Sequence, residues 1–235
     1  QSDAYAIAFV LLSFSHYYKV TQDDRALSYM KKTHRFLHEK MQSEAGGFYE
    51  TYPVDDTQIR RQNPHMHLFE AFLTLYQFTR DGKWLAKAGE IFCLFETRFF
   101  DVENGVLLEY FADNWQPLAG EKGQLVEPGH MMEWVWLLRQ YEKYTQAPVD
   151  KYCHTLFHRA IELGKDRSGE LLVDEVNFRT KQTTGKKRFI AGAVCPECKQ
   201  FDTIVMYPDE QRVECVRCDY EEVMPSEPSV KASSV

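Results

Sequence analysis

The chain has 235 residues, a formal net charge of −7 at pH 7 and a calculated isoelectric point of about 5.7. Nucleic acids and anionic membranes attract basic surfaces, so an acidic chain excludes both as expected partners. The length suffices for one sizeable domain and a small module.

The N-terminal segment is apolar but fits neither a membrane span nor a signal peptide. The run AYAIAFVLLSF follows Asp3 with no basic flank, and the first residue is Gln1 rather than methionine. A bilayer span takes about 20 apolar residues, and a signal peptide begins with basic residues. We therefore expect this run to lie inside a domain, in a chain whose true beginning lies upstream.

Hydrophobic periodicity predicts six helices that alternate between two kinds. One kind is apolar on nearly every side and is expected inside, whereas the other carries a single apolar stripe and is expected outside. Three inner–outer helical hairpins in a row indicate a repeat architecture. The inner helices are predicted at 2–20, 63–78 and 130–144, and the outer helices at 23–42, 82–100 and 149–165.

The second and third inner helices share a polar pattern in their first turns. His67 precedes Glu70 by three residues, and His130 precedes Glu133 in the same way. Side chains three apart share a helix face, so each helix is predicted to present an imidazole and a carboxylate at the same end of the array. That end is the expected place for a pocket.

Long aromatic connections are predicted at the same end, at 46–62 and 102–124. The second connection contains a predicted hairpin about residues 112–114. Long ordered loops at one face usually carry function, and aromatic rings stack on the C–H faces of sugars. The residues expected at the rim of the pocket are Tyr49, Tyr52, Tyr110 and Trp115.

The C-terminal region contains two C-x-x-C pairs, Cys195/Cys198 and Cys215/Cys218. This spacing is typical of a tetrahedral structural zinc site, and four thiolates leave no open position for catalysis. Metal thiolates indicate a reducing compartment, so the cytoplasm is the expected location. Strands are predicted at 202–207 and 212–215, about a turn at Pro208-Asp209.

Four segments together resemble the N-acylglucosamine 2-epimerase and mannose isomerase family: RQNPHMHLFEAFLTLY (61–76), VEPGHMMEWVWLL (126–138), GGFYET (46–51) and GVLLEYF (105–111). The resemblance implies a mainly α fold, an (α/α) barrel of six hairpins of which about three are present here. It also implies proton transfer at C1 and C2 of a free hexose or N-acylhexosamine by histidine acid–base catalysis, with no cofactor for the sugar chemistry.

On that resemblance, Asn63 and His67 contact the sugar, His130 is one of two catalytic histidines, and Glu133 orients His130. Tyr5 is a further pocket residue. The family's second catalytic histidine and a sugar-site arginine have no counterpart in these 235 residues. The chain is therefore expected to hold one side of an active site and to be weakly active or inactive as it stands.

The segments KKRFIAGAVCPEC (186–198) and ECVRCDYEE (214–222) resemble short bacterial metal-binding zinc-ribbon proteins (YheV-like). One structural zinc ion per chain, held by the four cysteines of the C-x-x-C pairs, is the implied cofactor. The expected organisation is an epimerase-like domain at 1–178, a linker at 179–188, a zinc ribbon at 189–224 and a disordered tail at 225–235.

Other interpretations of the polar residues remain open. Either motif histidine, taken alone, is better explained as a satisfied core residue, but the repeated His-x-x-Glu pattern and the family motifs together favour a pocket. A dimetal site in a helix bundle also uses Glu and His three residues apart, but it favours the order Glu-x-x-His with further inner-helix carboxylates. Five further histidines are expected to be solvated (His16, His34, His38, His154, His158), and two further cysteines are expected to pack on outer helices (Cys93, Cys153).

Two functions from different classes follow. The first is a carbohydrate epimerase or isomerase that binds a small-molecule sugar and carries an appended zinc ribbon. The second is a non-catalytic zinc-ribbon interaction protein with a remnant helical domain. With half a barrel, the inner helices are expected to expose an apolar flank, which favours a homo-oligomer through the open barrel face.

Overall fold

The fold is taken from a computed structural model that describes residues 2–55, 58–165, 173–183, 188–190, 192–201, 203–207 and 212–223. The chain divides into two compact units, Gln1–Gln182 and Thr183–Val235. The Pro208-Asp209 turn, the 225–235 tail and part of the 179–188 linker lie outside the described residues.

All six predicted helices are confirmed in the first unit. The inner helices are α1 (Ala4–Thr21), α3 (Asn63–Thr79) and α5 (Pro128–Thr145), and the outer helices are α2 (Asp24–Met41), α4 (Gly82–Leu94) and α6 (Asp150–Gly164). Each inner helix packs against its outer partner, and α3 also contacts α1 and α5. The inner layer therefore has α3 at its centre. No helix in the described ranges has the length and hydropathy that a membrane crossing requires.

The helix ends follow from local chemistry. Asp3, Asp23 and Asp81 each accept a hydrogen bond from a backbone N–H of the first turn of α1, α2 and α4, which satisfies a donor that the helix leaves unpaired. Proline occupies the first turn of α3 and of α5, where its missing N–H costs nothing. The inner helices each end at a residue with positive φ: Gln22, Arg80 and Gln146.

Helix α1 is inside on one face only. Its buried face includes Ala4, Ile7, Ala8 and Leu11. The opposite face exposes aromatic rings, among them Tyr17 at 50%, along an open apolar groove of about 700 Å³. The expectation of a fully internal helix is therefore corrected, while the expected apolar flank is present.

Short strands between the helices hold the connections together. The pairs are β1 (Ser2–Asp3) with β2 (Thr51–Tyr52), β3 (Arg60–Arg61) with β6 (Tyr110–Phe111), β4 (Phe100–Asp101) with β5 (Val106–Leu107), and β7 (Leu125–Val126) with β8 (Val176–Asn177). A π-helix at Phe95–Phe99 follows α4, and a 3₁₀ helix at Glu121–Gln124 precedes β7. The pairing of β3 with β6 joins the two long connections that the sequence places at one end.

Arg60 is the buried cation that fixes these connections. It is 1% exposed and donates hydrogen bonds to the Ser43 hydroxyl and to the carbonyls of Gly46, Phe48 and Asp113. Its guanidinium lies 3.8 Å from the centroid of the Trp115 ring, a cation–π contact. Burial lowers the pKa of Arg60 to about 10, against the raising effect of Asp113 and Glu50.

The second unit is a small antiparallel sheet in the order β12–β11–β10–β9. Its strands are β9 (Arg188–Phe189), β10 (Ile204–Tyr207), β11 (Arg212–Cys215) and β12 (Glu221–Val223). The two predicted strands correspond to β10 and β11. Among its described residues, the buried apolar cluster consists of Cys195, Ile204, Val213 and Cys215.

We expect Arg60→Lys to lower the free energy of unfolding by about 3 kcal/mol, because a lysine reaches fewer of the buried acceptors and leaves the rest unpaired. Urea unfolding followed by tryptophan fluorescence measures the change. Arg25→Lys is the matched control, since that side chain is 83% exposed and should change nothing measurable. Equal stability of the two variants would contradict the role given to Arg60.

Candidate functional site

His130 lies in the first turn of α5, between two carboxylates. Its Nδ1 is 3.1 Å from both carboxylate oxygens of Glu109, and its Nε2 is 3.5 Å from Oε2 of Glu127. The His130 side chain is 15% exposed and that of Glu109 only 3%. A buried carboxylate therefore holds one ring nitrogen, and a less buried one faces the other.

A chain of buried hydrogen bonds fixes Glu109. Nε1 of Trp134 donates to Oε1 of Gln62 at 2.7 Å, which directs the Gln62 amide nitrogen to Oε2 of Glu109 at 2.9 Å. The backbone N–H of Gln62 also donates to the Glu109 carbonyl. The Gln62 amide nitrogen and Nδ1 of His130 lie 3.2 Å apart, and both contact the carboxylate of Glu109. The carboxylate accepts from both nitrogens. Nδ1 of His130 therefore carries a proton.

This environment makes His130 an imidazolium at neutral pH. Burial lowers its pKa, but the charge and hydrogen bond of Glu109, with smaller contributions from Glu127 and Glu133, outweigh burial and raise the pKa to about 9. A protonated imidazole is an acid first and becomes a base only after it has given up a proton.

His67 forms a second polar group on the neighbouring helix α3. Its Nδ1 is 3.3 Å from Oε2 of Glu70 and 3.6 Å from Oε1 of Glu133. The ring packs edge-on against Tyr5, with 5.1 Å between centroids, and also contacts Phe9. The structure thus brings together three of the residues named from the sequence: Tyr5, His67 and Glu133.

Asn63 lies one turn before His67 on the same face of α3. Its Oδ1 is buried and has no hydrogen-bond partner among the described residues. A buried acceptor without a partner is costly, so this oxygen is suited to a donor from a ligand.

The expectation that Glu133 orients His130 is corrected. Glu109 takes Nδ1 of His130, and Glu133 lies beside His67 instead. The cause is the β5–β6 connection, which brings a carboxylate from 21 residues away in sequence. Burial raises the pKa of Glu133, both histidines lower it and Glu70 raises it, so Glu133 lies within electrostatic reach of both imidazoles.

Sequence reasoning missed Gln62, Glu109 and Glu127. Glu109 had a signal, as an acid inside the apolar run GVLLEYF. Glu127 had one too, because Glu127 and His130 stand in the order Glu-x-x-His, which is the order that a dimetal site favours. Gln62 had no signal, since its partners lie 47 and 72 residues away.

Two of the aromatic residues expected at a rim pack inside instead. Trp115 is 1% exposed and donates from Nε1 to the Gly46 carbonyl. Tyr52 packs against Phe36 and pairs through its backbone with Ser2. Tyr110 is half-buried and donates to the buried carboxylate of Glu175 at 2.9 Å.

His65, two residues before His67, is a core histidine. It is fully buried, its Nε2 accepts from the Phe48 N–H at 2.9 Å, and burial, then Arg60, lowers its pKa to about 3. Gly47 approaches it with φ of +66°, and a Cβ there would lie 2.5 Å from Nε2 of His65. Only glycine fits that turn.

Two minor expectations are also corrected. His34 is not solvated, because its Nε2 is buried and burial, then Lys87, lowers its pKa to about 4. Cys93 is exposed rather than packed, whereas Cys153 is buried.

Four cysteines gather in the second unit. Sγ of Cys195 is 3.6 Å from that of Cys218, and Sγ of Cys198 is 3.7 Å from that of Cys215; all four sulfurs lie within 4.8 Å of one another. Zinc–sulfur bonds of about 2.3 Å in a tetrahedron separate sulfurs by about 3.8 Å, so this donor set fits a metal ion. Burial raises the pKa of Cys215, but hydrogen bonds from Thr203, Arg217 and Cys218 lower it to about 6, which favours a thiolate.

Comparisons with known proteins agree with this geometry. The model of the N-acylglucosamine 2-epimerase family matches residues 1–189, and a family described as "Probable metal-binding protein" matches residues 185–233. A mannose-6-phosphate isomerase of Rhizobium meliloti is 40% identical over 144 residues, which cover 59% of this chain and 36% of that protein. A cellobiose 2-epimerase of Dictyoglomus turgidum is 25% identical over 60% of this chain and 38% of its own length.

Solved structures show the same fold. The cellobiose 2-epimerase of Bacillus thermoamylovorans B4167 superposes with a TM-score of 0.67 at 22% identity, over 80% of this chain and 51% of that one. A D-mannose isomerase superposes with a TM-score of 0.65 at 19% identity, over 80% and 52%. The chain spans about half the length of these structures and little more than a third of the curated relatives. The fold class expected from the sequence, a partial (α/α) barrel with a small β unit, is confirmed.

We expect NMR titration of the His130 ring to give a pKa of about 9, and Glu109→Gln to lower it, because burial then acts with less opposing charge. Since the folded pKa is raised, the stability contributed by His130 is complete below the unfolded pKa of about 6.5. It is lost as pH rises through the folded value. The stability gap between the original chain and Glu109→Gln should therefore narrow as pH rises through about 9.

Glu90→Gln is the matched control, because Glu90 pairs with Lys87 on an outer helix and should leave the titration of His130 unchanged. A His130 that titrates near its ordinary pKa in both the original chain and Glu109→Gln would contradict the assignment.

Proposed function

The chain belongs to the N-acylglucosamine 2-epimerase family, and from that premise we propose that its helical unit moves a proton at C1 and C2 of a free hexose or N-acylhexosamine. His130 is the proposed acid–base group and Glu133 a second catalytic residue. Asn63, His67 and Tyr5 are proposed to bind the sugar. The observation that carries the proposal is the close contact of Nδ1 of His130 with the buried carboxylate of Glu109, beside the neighbouring group of His67 and Glu133.

The chemistry requires one group to act alternately as acid and base. His130 in its neutral form takes the proton from C2 of the open-chain aldose, and the C2–H electron pair forms the enediolate with the carbonyl carbon C1. When the O2–H proton passes to O1 and C2 becomes the carbonyl, returning the proton to C1 gives the ketose. When the C1 carbonyl is restored instead, protonation of the other face of C2 gives the epimer. Glu109 holds Nδ1 of His130 in both states and stabilises the imidazolium, leaving Nε2 for the substrate.

The charge of the site favours an uncharged sugar. Glu70, Glu109, Glu127 and Glu133 surround the two histidines, and four carboxylates repel a phosphate. Among the relatives, the names cellobiose 2-epimerase and D-mannose isomerase indicate uncharged sugars, and mannose-6-phosphate isomerase indicates a phosphorylated one. We therefore propose an unphosphorylated substrate for this chain.

We propose weak activity or none for these 235 residues expressed by themselves. The resemblance implies two catalytic imidazoles, and His130 is the one at a matching position. Loss of one acid–base group costs about 10²–10⁴ in rate.

We further propose that Cys195, Cys198, Cys215 and Cys218 hold one structural zinc ion. Four thiolates complete its coordination, so the ion would stabilise the ribbon without catalysing a reaction. Free thiols of this kind require a reducing compartment, and a cytoplasmic location is part of the same proposal.

The sugar chemistry is tested most sensitively by exchange of the C2 proton in D₂O. We expect slow deuterium incorporation at C2 of D-mannose, D-glucose or N-acetylmannosamine with little net interconversion, because one imidazole suffices to remove and return the proton. Mass spectrometry of recovered sugar measures it. The rate should rise with pH toward about 9, since only neutral His130 removes a proton.

His130→Ala should abolish the exchange, and His154→Ala, an exposed histidine on α6, should leave it unchanged. Exchange that survives in His130→Ala, or exchange with mannose 6-phosphate alone, would refute the proposed roles. No exchange with any sugar supports the non-catalytic interaction protein instead.

For the ribbon, we expect elemental analysis of the purified chain to find one zinc ion, and a Cys195→Ser, Cys215→Ser double variant to lose it. A segment with so small an apolar cluster depends on the metal for its fold, so the amide resonances of β10 and β11 should collapse on chelation. Cys93→Ser is the control. Purified protein that contains no zinc and has four freely titratable thiols would contradict this assignment.

A further inference from the structure

We propose that a cleft between the outer helices α2 and α4 binds a small phosphate-bearing anion, either inorganic phosphate or the phosphate group of a metabolite. The cleft has a volume of about 460 Å³, which lies within the range of small-molecule sites. The histidines of the candidate sugar site lie on the inner helices α3 and α5. The cleft is therefore a separate site, and the proposal does not depend on the sugar chemistry.

Four cationic side chains line the cleft, two from each helix: Lys31 and Arg35 from α2, and Lys83 and Lys87 from α4. Among the described lining residues, Glu39 is the single acid. In each pair the two cations are four residues apart, so they share a helix face and repel one another. A chain with a net charge of −7 thus concentrates positive charge in one cleft, where a bound anion would neutralise it.

Acids outside the lining pair with the two cations of α4. Nζ of Lys83 lies 3.0 Å from Oδ2 of Asp81, and Nζ of Lys87 lies 2.8 Å from Oε1 of Glu90. The two cations of α2 are exposed. An anion in the cleft can therefore be reached by flexible cations from α2, while the lysines of α4 are held in place on the other wall.

Two buried nitrogen atoms supply an observation that is independent of the charge. Trp84 is 1% exposed, and neither its Nε1 nor Nε2 of His34 has a hydrogen-bond partner among the described residues. The two rings meet edge-on with 5.0 Å between centroids, and both belong to the lining of the cleft. A buried polar atom without a partner is costly. Since the indole N–H can only donate, a ligand oxygen that reaches it after a small side-chain rotation removes that cost.

The anion that fits this lining best is a phosphate. After burial, Lys87, His38 and Lys83 lower the pKa of His34 to about 4, against Glu90, so the positive potential of the cleft extends to the buried ring. A phosphate group carries up to two negative charges and three acceptor oxygens, whereas a carboxylate carries one charge and two oxygens. Arginine binds phosphate through two parallel N–H donors, and lysine binds it as a point charge.

The test titrates the full, ¹⁵N-labelled chain with inorganic phosphate while sodium chloride holds the ionic strength constant, so that general screening does not change. We expect the indole N–H resonance of Trp84, assigned with Trp84→Phe, to shift and to reach saturation. The affinity should fall about tenfold in Arg35→Gln and in Lys83→Gln, because each variant removes a charged donor to the anion.

Glycerol 3-phosphate in a parallel titration identifies the source of the phosphate. Tighter binding than that of inorganic phosphate assigns the cleft to a phosphorylated metabolite, and equal or weaker binding assigns it to free phosphate. Both results support the site.

Lys40→Gln is the matched control, because Lys40 is an exposed lysine of α2 outside the lining and should bind phosphate as the original chain does. Circular dichroism melting shows whether each variant is folded. The C2-proton exchange proposed for the sugar site should be unchanged in Arg35→Gln and Lys83→Gln, and a chain without that exchange still answers the binding question.

The proposal is overturned if the Trp84 resonance does not saturate, or if added sodium chloride alone produces the same shift. It is also overturned if the folded Arg35→Gln and Lys83→Gln variants bind phosphate as tightly as the original chain, or if Lys40→Gln weakens binding to the same extent as they do.

Discussion

The buried carboxylate of Glu109 fixes the side chains at the end of the helical unit where the candidate site lies. Glu109 lies between α3 and α5 and is reached from both, by Gln62 at the start of α3 and by His130 in α5. A carboxylate placed in the interior is stable only with several donors, and here Trp134 orients Gln62 so that its amide nitrogen provides one of them. The same bonds that satisfy Glu109 set the position, the tautomer and the charge of His130. The hydrogen bonds that stabilise the fold at Glu109 are therefore the same bonds that determine the chemistry of His130.

The two long connections depend on a buried cation in a comparable way. Arg60 gathers backbone carbonyls from segments that have no regular structure to pair them, and Trp115 covers its charge. These aromatic loops therefore have a polar centre of their own. The hydrogen bonds of Arg60 hold β3 against β6, and this pairing positions Glu109 next to His130.

Much of the fold follows from the sequence because helical periodicity is a local property. The six helices and their pairing into hairpins depend on residues three or four apart, and aspartate caps and prolines mark several ends. Each cysteine pair is also local, since the C-x-x-C spacing places two sulfurs in one turn, and the pairing of β10 with β11 brings the two pairs together. The helix faces on which His67 and His130 lie were predictable from the same helical geometry.

The buried partner of His130 was not predictable from helical periodicity. Glu109 reaches His130 from the short connection between β5 and β6, 21 residues away in sequence, and it occupies the place expected for Glu133. Trp115 illustrates a second limit, because an aromatic residue in a loop is equally suited to stacking on a sugar and to covering an arginine. Contacts between residues far apart in sequence decide such cases.

The ribbon's cluster of Cys195, Ile204, Val213 and Cys215 has a consequence for its behaviour in a cell. Two of these four buried residues are thiols of the proposed metal site, so little apolar packing would remain without a metal ion. The stability of such a unit grows with the logarithm of the free metal concentration rather than being fixed by its sequence. Its folded fraction, and hence its resistance to proteases, then follows the metal supply of its surroundings. The helical unit, by contrast, has an extensive apolar core of its own.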